Sequence, residues 1–170
     1  IPLEILRVNM KGYSKTDWFR AMLAVPIKVL TDWEKFDVYI AEMGIDSPVE
    51  PKNMSYLLKI IKPKIGVLTN ISYEHSVYFD PLVEGTSFNK REENILRLTA
   101  EQEGLLLKSI DKDGVAILNI DDENIAKVKP EVKAKAVTIS TKQRSADYFI
   151  ENVKNFVDEV DIHFIYKNKK

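Results

Sequence analysis

The sequence predicts an α/β fold: a mostly parallel sheet flanked by helices, with short antiparallel strands toward the C-terminus. Three observations predict it. Val38-Tyr39-Ile40-Ala41 and Ile65-Gly66-Val67-Leu68 are short apolar runs bounded by polar or turn-forming residues. Between them, Met54, Leu57, Leu58 and Ile61 recur at the spacing of one helix face. A third apolar run, Val115-Ala116-Ile117-Leu118, follows a long helical pattern. The first two runs, with the helix between them, make a βαβ unit, with parallel strands and a right-handed crossover. Each run ends on polar groups: Glu42, then Thr69-Asn70, then Asn119-Ile120-Asp121-Asp122. Ligands of open α/β sheets bind beyond the carboxyl ends of the strands, so these groups point to where a site belongs.

The bulk properties narrow the class. A length of 170 residues suits one domain, expected as an α/β core over 1–129 with antiparallel strands of 130–170 packed on it. A net charge of −1 gives no basic field, so no nucleic-acid partner is expected. The absence of cysteine excludes disulfides and thiolate metal sites, and it fits a reducing, cytoplasmic setting. No apolar run approaches the ~20 residues of a membrane span, and no signal peptide is visible. The chain begins at Ile1, which suggests a fragment or a trimmed chain.

Taken in order, Ile1 to Val8 reads as a short strand. It leads through Lys11-Gly12-Tyr13-Ser14-Lys15-Thr16 into a helical stretch over Trp18 to Ala24. Strand, loop, Lys-Thr and helix is the layout of a phosphate-binding loop, in which backbone N–H groups and a lysine hold phosphate. The two glycines of the full signature fall on Lys11 and Ser14, and Gly12 is one position off. The loop therefore reads either as a phosphate contact or as an ordinary polar loop before a helix. Pro26 to Lys35 is a connector, with Ile27 to Leu30 a candidate edge strand. Pro63 ends the helix that starts at Met54, because a proline pushes its predecessor out of the helical region. Asn89 and Glu92 have the spacing of a helix cap, and the longest helix runs from Lys90 to Ser109. Asp111 to Gly114 is a turn. Ala136 to Ile139, Asp147 to Val153 and Val160 to Tyr166 read as short antiparallel strands. His163, in the last of these, reads as a surface or packing residue.

These residues resemble a known family. Glu42-Met43-Gly44, then Lys62-Pro63-Lys64-Ile65-Gly66-Val67-Leu68-Thr69-Asn70-Ile71 with Glu74-His75, then Asp113 to Asp122, look like the central ATP-binding domain of the Mur ligases. Ser145-Ala146-Asp147-Tyr148 and Glu151-Asn152-Val153 resemble a later stretch of that family. The nearest branch is the one that adds the D-alanyl-D-alanine dipeptide to a muramyl tripeptide. The resemblance implies a P-loop-NTPase-like fold and amide-bond formation through an acyl phosphate, with ATP and Mg2+ as cofactors. It implies a UDP-muramyl peptide as partner only where further domains exist. Carried over, Gly12, Ser14, Lys15 and Thr16 would border phosphate. Thr16, Glu42 and His75 would hold magnesium. Asn119 and Asp121 would lie near the nucleotide. Lys15, Glu42, His75 and Glu103 would make the catalytic set, with Glu103 at the position of the family's carbamylated lysine.

The sequence also departs from the pattern. Lys11 and Ser14 replace loop glycines, and either side chain takes phosphate space or forbids a glycine-only conformation. Only 26 residues separate Lys15 from Glu42, too few for the family's substrate-binding segment. Three readings follow: a Mur-type ligase domain, a non-catalytic Mur-like module, or a small nucleotide-binding regulator. Asp121 and Asp122 also have a plain reading, as turn formers or a cap for the next helix.

Overall fold

The computed structural model describes residues 3, 8–12, 14–31, 37–73, 78–83 and 87–167. The chain forms two compact units, Ile1–Met43 and Gly44–Lys170.

The first unit is dominated by helix α1, Lys15–Thr31. It continues through Pro26, so the connector and the edge strand expected at Ile27 to Leu30 are helical instead. A proline inside a helix costs one backbone bond, here the one to the Met22 carbonyl. Only Ala21 of α1 is buried, while Trp18, Phe19, Leu23 and Leu30 are exposed. The strand expected at Val38 to Ala41 does not form. A strand exists by pairing, and among the described residues this run joins no ladder: Val38 is 75% exposed and Ile40 89%. The strand expected over Ile1 to Val8 lies mostly outside the described residues.

The second unit holds a five-stranded sheet in chain order: β1 Ile65–Leu68, β2 Val115–Asn119, β3 Lys135–Ser140, β4 Tyr148–Asn155 and β5 Val160–Tyr166. Helix α2, Met54–Ile60, precedes β1. It is capped by Asn53, whose side chain accepts from Tyr56 N at 3.0 Å. Helix α3, Phe88–Ser109, connects β1 to β2, and α4, Glu123–Val128, connects β2 to β3. The cap of α3 is at Ser87 rather than the expected Asn89. Arg91 of α3 holds the preceding turn by a two-pronged ion pair with Asp80, at 2.6 and 2.7 Å.

Both crossovers step the sheet in the same direction. Right-handed connections of that kind put both helices on one face. The core forms there: Leu68, Ala100, Leu107, Ala116, Leu118, Ile125 and Val128. Two glycines permit the close approaches. A Cβ at Gly104 would lie 3.0 Å from Val128 of α4, and one at Gly114 would lie 2.5 Å from the Lys64 carbonyl. The opposite face shows Ile65 and Val67, 60% and 50% exposed. A shallow cavity of about 380 Å³ lies on that face over Ile117, Val137 and Ile139.

The first three strands are parallel throughout. β3 is thus an inner parallel strand and not one of the antiparallel strands expected after Pro130. β4 also runs parallel to β3, but only through Ile139–Tyr148 and Ser140–Phe149. The rest of β4 pairs only with β5, antiparallel, with a register shift between Ile150 and Asn152. A connection of residues 141–147 is too short for a crossover, so β4 starts at the end of β3 and carries the hairpin beyond it.

Candidate functional site

The strand ends of the second unit are joined by side chains of the turn after β2. Asn119 Nδ2 donates to the Thr69 carbonyl at 2.8 Å, while its Oδ1 accepts from Asp121 N at 3.1 Å. Asp122 Oδ2 accepts from Ile71 N at 2.8 Å, 51 residues away in the chain. Its Oδ1 accepts from Asn124 N and Ile125 N at 2.8 and 3.2 Å, which caps α4. Asp121 faces the other way, toward the loop after β3. It accepts from Ser140 Oγ, and from Thr141 N and Oγ1 at 2.7 and 2.6 Å. Partial burial opposes its charge, but the bonds from Ser140, Thr141 and the Lys142 backbone outweigh that and hold its pKa at about 2. Gln143 Nε2 adds a bond to the Ile120 carbonyl at 3.2 Å. Asp147 closes the same loop, accepting from Thr138 N and Oγ1 at 2.9 and 3.0 Å. The Thr138 amide bond is the first reason that its carboxyl lies below the usual range.

Asn119 and Asp121 lie in one turn, at the carboxyl end of β2. Their side chains are engaged with neighbouring loops. What the turn after β1 presents outward is Thr69 and Asn70, both exposed, with Thr69 Oγ1 donating to Asn70 Oδ1 at 3.1 Å. Glu103 lies half-buried on α3. His75 lies outside the described residues.

In the first unit, the candidate phosphate loop leads directly into α1. Ser14 stands at the helix start, and its Oγ accepts from Asp17 N at 3.2 Å. Asp17 Oδ2 accepts in return from Ser14 N at 3.2 Å and from Ser14 Oγ at 2.5 Å. This is a reciprocal cap, and it draws the Asp17 carboxyl below its ordinary pKa, chiefly through the Ser14 hydroxyl. Thr16 Oγ1 lies 2.8 Å from Ser14 Oγ. A Cβ at Gly12 would lie 3.2 Å from Asp17 Oδ2. A phosphate arriving at this helix end meets a carboxylate already seated there. Asp17 was legible as the last residue of an S-x-x-D spacing, which the match to a phosphate loop passes over. Lys15 is exposed and borders an apolar groove of about 650 Å³ lined by Trp18, Phe19, Met22 and Pro26. Glu42 is exposed, in irregular chain. Among the described residues, no group of three or more His, Asp or Glu is placed to hold a metal ion.

Parallel strands with helical crossovers, and polar turns interlocked at their carboxyl ends, define an open α/β domain. The sequence matches the Mur ligase middle domain over residues 19–170, and the chain belongs to that family. The match begins just after the Lys15-Thr16 pair. Among solved structures, the chain resembles a MurF ligase from Thermotoga maritima in complex with ADP. The TM-score is 0.57 and the identity 18%, covering 94% of this chain and 32% of that one. A UDP-N-acetylmuramoyl-L-alanyl-D-glutamate–2,6-diaminopimelate ligase is similar over 68% of this chain and 21% of that one. Its TM-score is 0.42 and its identity 19%. No curated protein matches the sequence. The chain spans about a third of the length of the MurF neighbour.

Proposed function

We propose that this chain is the ATP-binding central domain of an ATP-dependent amide ligase of peptidoglycan precursor synthesis, acting in the cytoplasm. The observation that carries the proposal is the family match over residues 19–170. The interlocked turns Thr69–Ile71 and Asn119–Asp122 follow the carboxyl ends of β1 and β2, the side on which open α/β sheets take ligands, which supports the reading. The ADP held by the MurF neighbour supports a nucleotide as that ligand.

In this reading Lys15 neutralises phosphate, while Gly12, Ser14 and Thr16 border it. Asn119 and Asp121 lie near the nucleotide and shape its surroundings through the loops they hold. Glu103 supplies a carboxylate where the family has a carbamylated lysine. Thr16 and Glu42 offer oxygen donors of the type magnesium prefers, and His75 completes the proposed set. When bound, the ion would neutralise charge on the transferring phosphoryl group. An acceptor carboxylate oxygen attacks the γ-phosphorus and ADP leaves. An amine nitrogen then attacks the acyl carbon, phosphate leaves, and the nitrogen loses a proton. A UDP-muramyl peptide and a D-alanyl-D-alanine amine are the proposed substrates, in a protein with the further domains that bind them.

Isothermal titration with Mg-ATP and a non-hydrolysable analogue tests the nucleotide site. Binding at or below millimolar concentration, lost in Lys15→Ala, is expected. No binding at millimolar nucleotide sinks the reading and favours the non-catalytic module.

A further inference from the structure

We propose that Asp122 is a positioning residue: it fixes the turn after β1 with one carboxylate oxygen while the other caps α4. The two oxygens have separate duties, Oδ2 to Ile71 N and Oδ1 to Asn124 N and Ile125 N. Ile71 and Ile125 both belong to the buried core. Between the Thr69 carbonyl, held by Asn119, and the Ile71 amide, held by Asp122, stands exposed Asn70. Two bonds from one turn thus set the outward face of another. A carboxylate is required for both duties at once. A serine or an asparagine has one good acceptor oxygen and can serve the cap, for which both are well suited. Neither can then serve Ile71, and an asparagine would turn its NH2 donors toward an N–H. The functional consequence, that nucleotide affinity depends on this anchor, rests on the proposed ATP site.

The test uses the 170-residue chain and its Asp122→Ser and Asp122→Asn variants. Amide hydrogen exchange at Ile71 and Asn124 is followed by NMR, and Mg-ATP binding by titration. In both variants Ile71 should exchange about tenfold faster or more, the scale of losing a bond to a charged acceptor. Asn124 should keep its protection, and Mg-ATP should bind several-fold more weakly. Unchanged Ile71 exchange overturns the anchor. Faster Ile71 exchange with unchanged ATP affinity overturns its link to the site. A wild-type chain that binds no ATP overturns the nucleotide reading alone, and Ile71 exchange then decides the anchor. Should the serine variant fail to fold, the asparagine variant carries the same comparison.

Discussion

The turn after β2 and the loop before α1 are built from similar parts and hold them differently. One has Asn119, Asp121 and Asp122; the other has Ser14, Thr16 and Asp17. In the first, the carboxylates reach residues 19, 20 and 51 positions away, through part-buried bonds from Ser140 and Ile71 and an exposed one from Thr141. In the second, the side-chain bonds among the described residues span two or three residues and are exposed. Long-range bonds close only when the sheet is formed, so their free energy belongs to the global fold. Local bonds shape a helix start and survive or fail with that turn alone. The same residue types thus act as fold locks in one place and as a local conformational setting in the other.

The largest expected effect comes from removing the packing beneath the β2 turn. Leu118 is fully buried, so Leu118→Ala should destabilise by about 3 kcal/mol, read as a lower urea midpoint. A loss well under half of that would mean that the sheet end is not supported by its core. Next, Asp121→Ala leaves the Ser140 and Thr141 donors without their carboxylate and should cost about 2 kcal/mol by the same measurement. Asp17→Ala should leave the global midpoint almost where it is. Equal shifts for the two aspartates would erase the distinction.

The pH dependence sharpens it further. The folded pKa of Asp121 is depressed from 3.8 to about 2. Its stabilisation is therefore present above 3.8 and is lost as pH falls toward about 2. Asp121→Asn should flatten that part of an acid-unfolding curve, whereas Asp17→Asn should barely alter it. The smallest effect concerns the helix end itself. Asp17→Asn removes the seated charge, so Mg-ATP should bind a few-fold more tightly if phosphate uses this loop. Unchanged or weaker binding in that titration counts against the loop as a phosphate site.

The sequence was most readable where pattern and packing agree. Ile65 to Leu68 and Val115 to Leu118 are apolar runs at strand length, and both form strands; they pair with each other, whereas the sequence pattern pairs Ile65 to Leu68 with Val38 to Ala41. The helix from Met54 and the long helix ending at Ser109 also follow their spacing. Val38 to Ala41 has equal strand character but joins no ladder among the described residues, and pairing is not a property of one segment. Pro26 to Lys35 reads as a connector, yet α1 continues through Pro26 to Thr31, at the loss of one backbone bond. β3 was misread because a short strand shows no sign of which neighbours it will have. At the site, Asn119 and Asp121 were legible as strand-end groups. Their partners Ser140 and Thr141 were not, because only the fold brings them within reach. Asp122 was read as a cap, which it is; its second oxygen acts over a distance no local motif encodes.

The order of the sheet has a consequence for how the second unit is made. Each strand lies beside its predecessor, so no later strand must be inserted between two earlier ones. During synthesis, β1 can pair as soon as α3 and β2 have emerged, and each addition closes only one connection. The entropic cost of assembly is thus divided into successive loop closures, none spanning the whole unit. The strand order thus lets the sheet be built up from the N-terminal side, with the β4–β5 hairpin the last addition among the described strands.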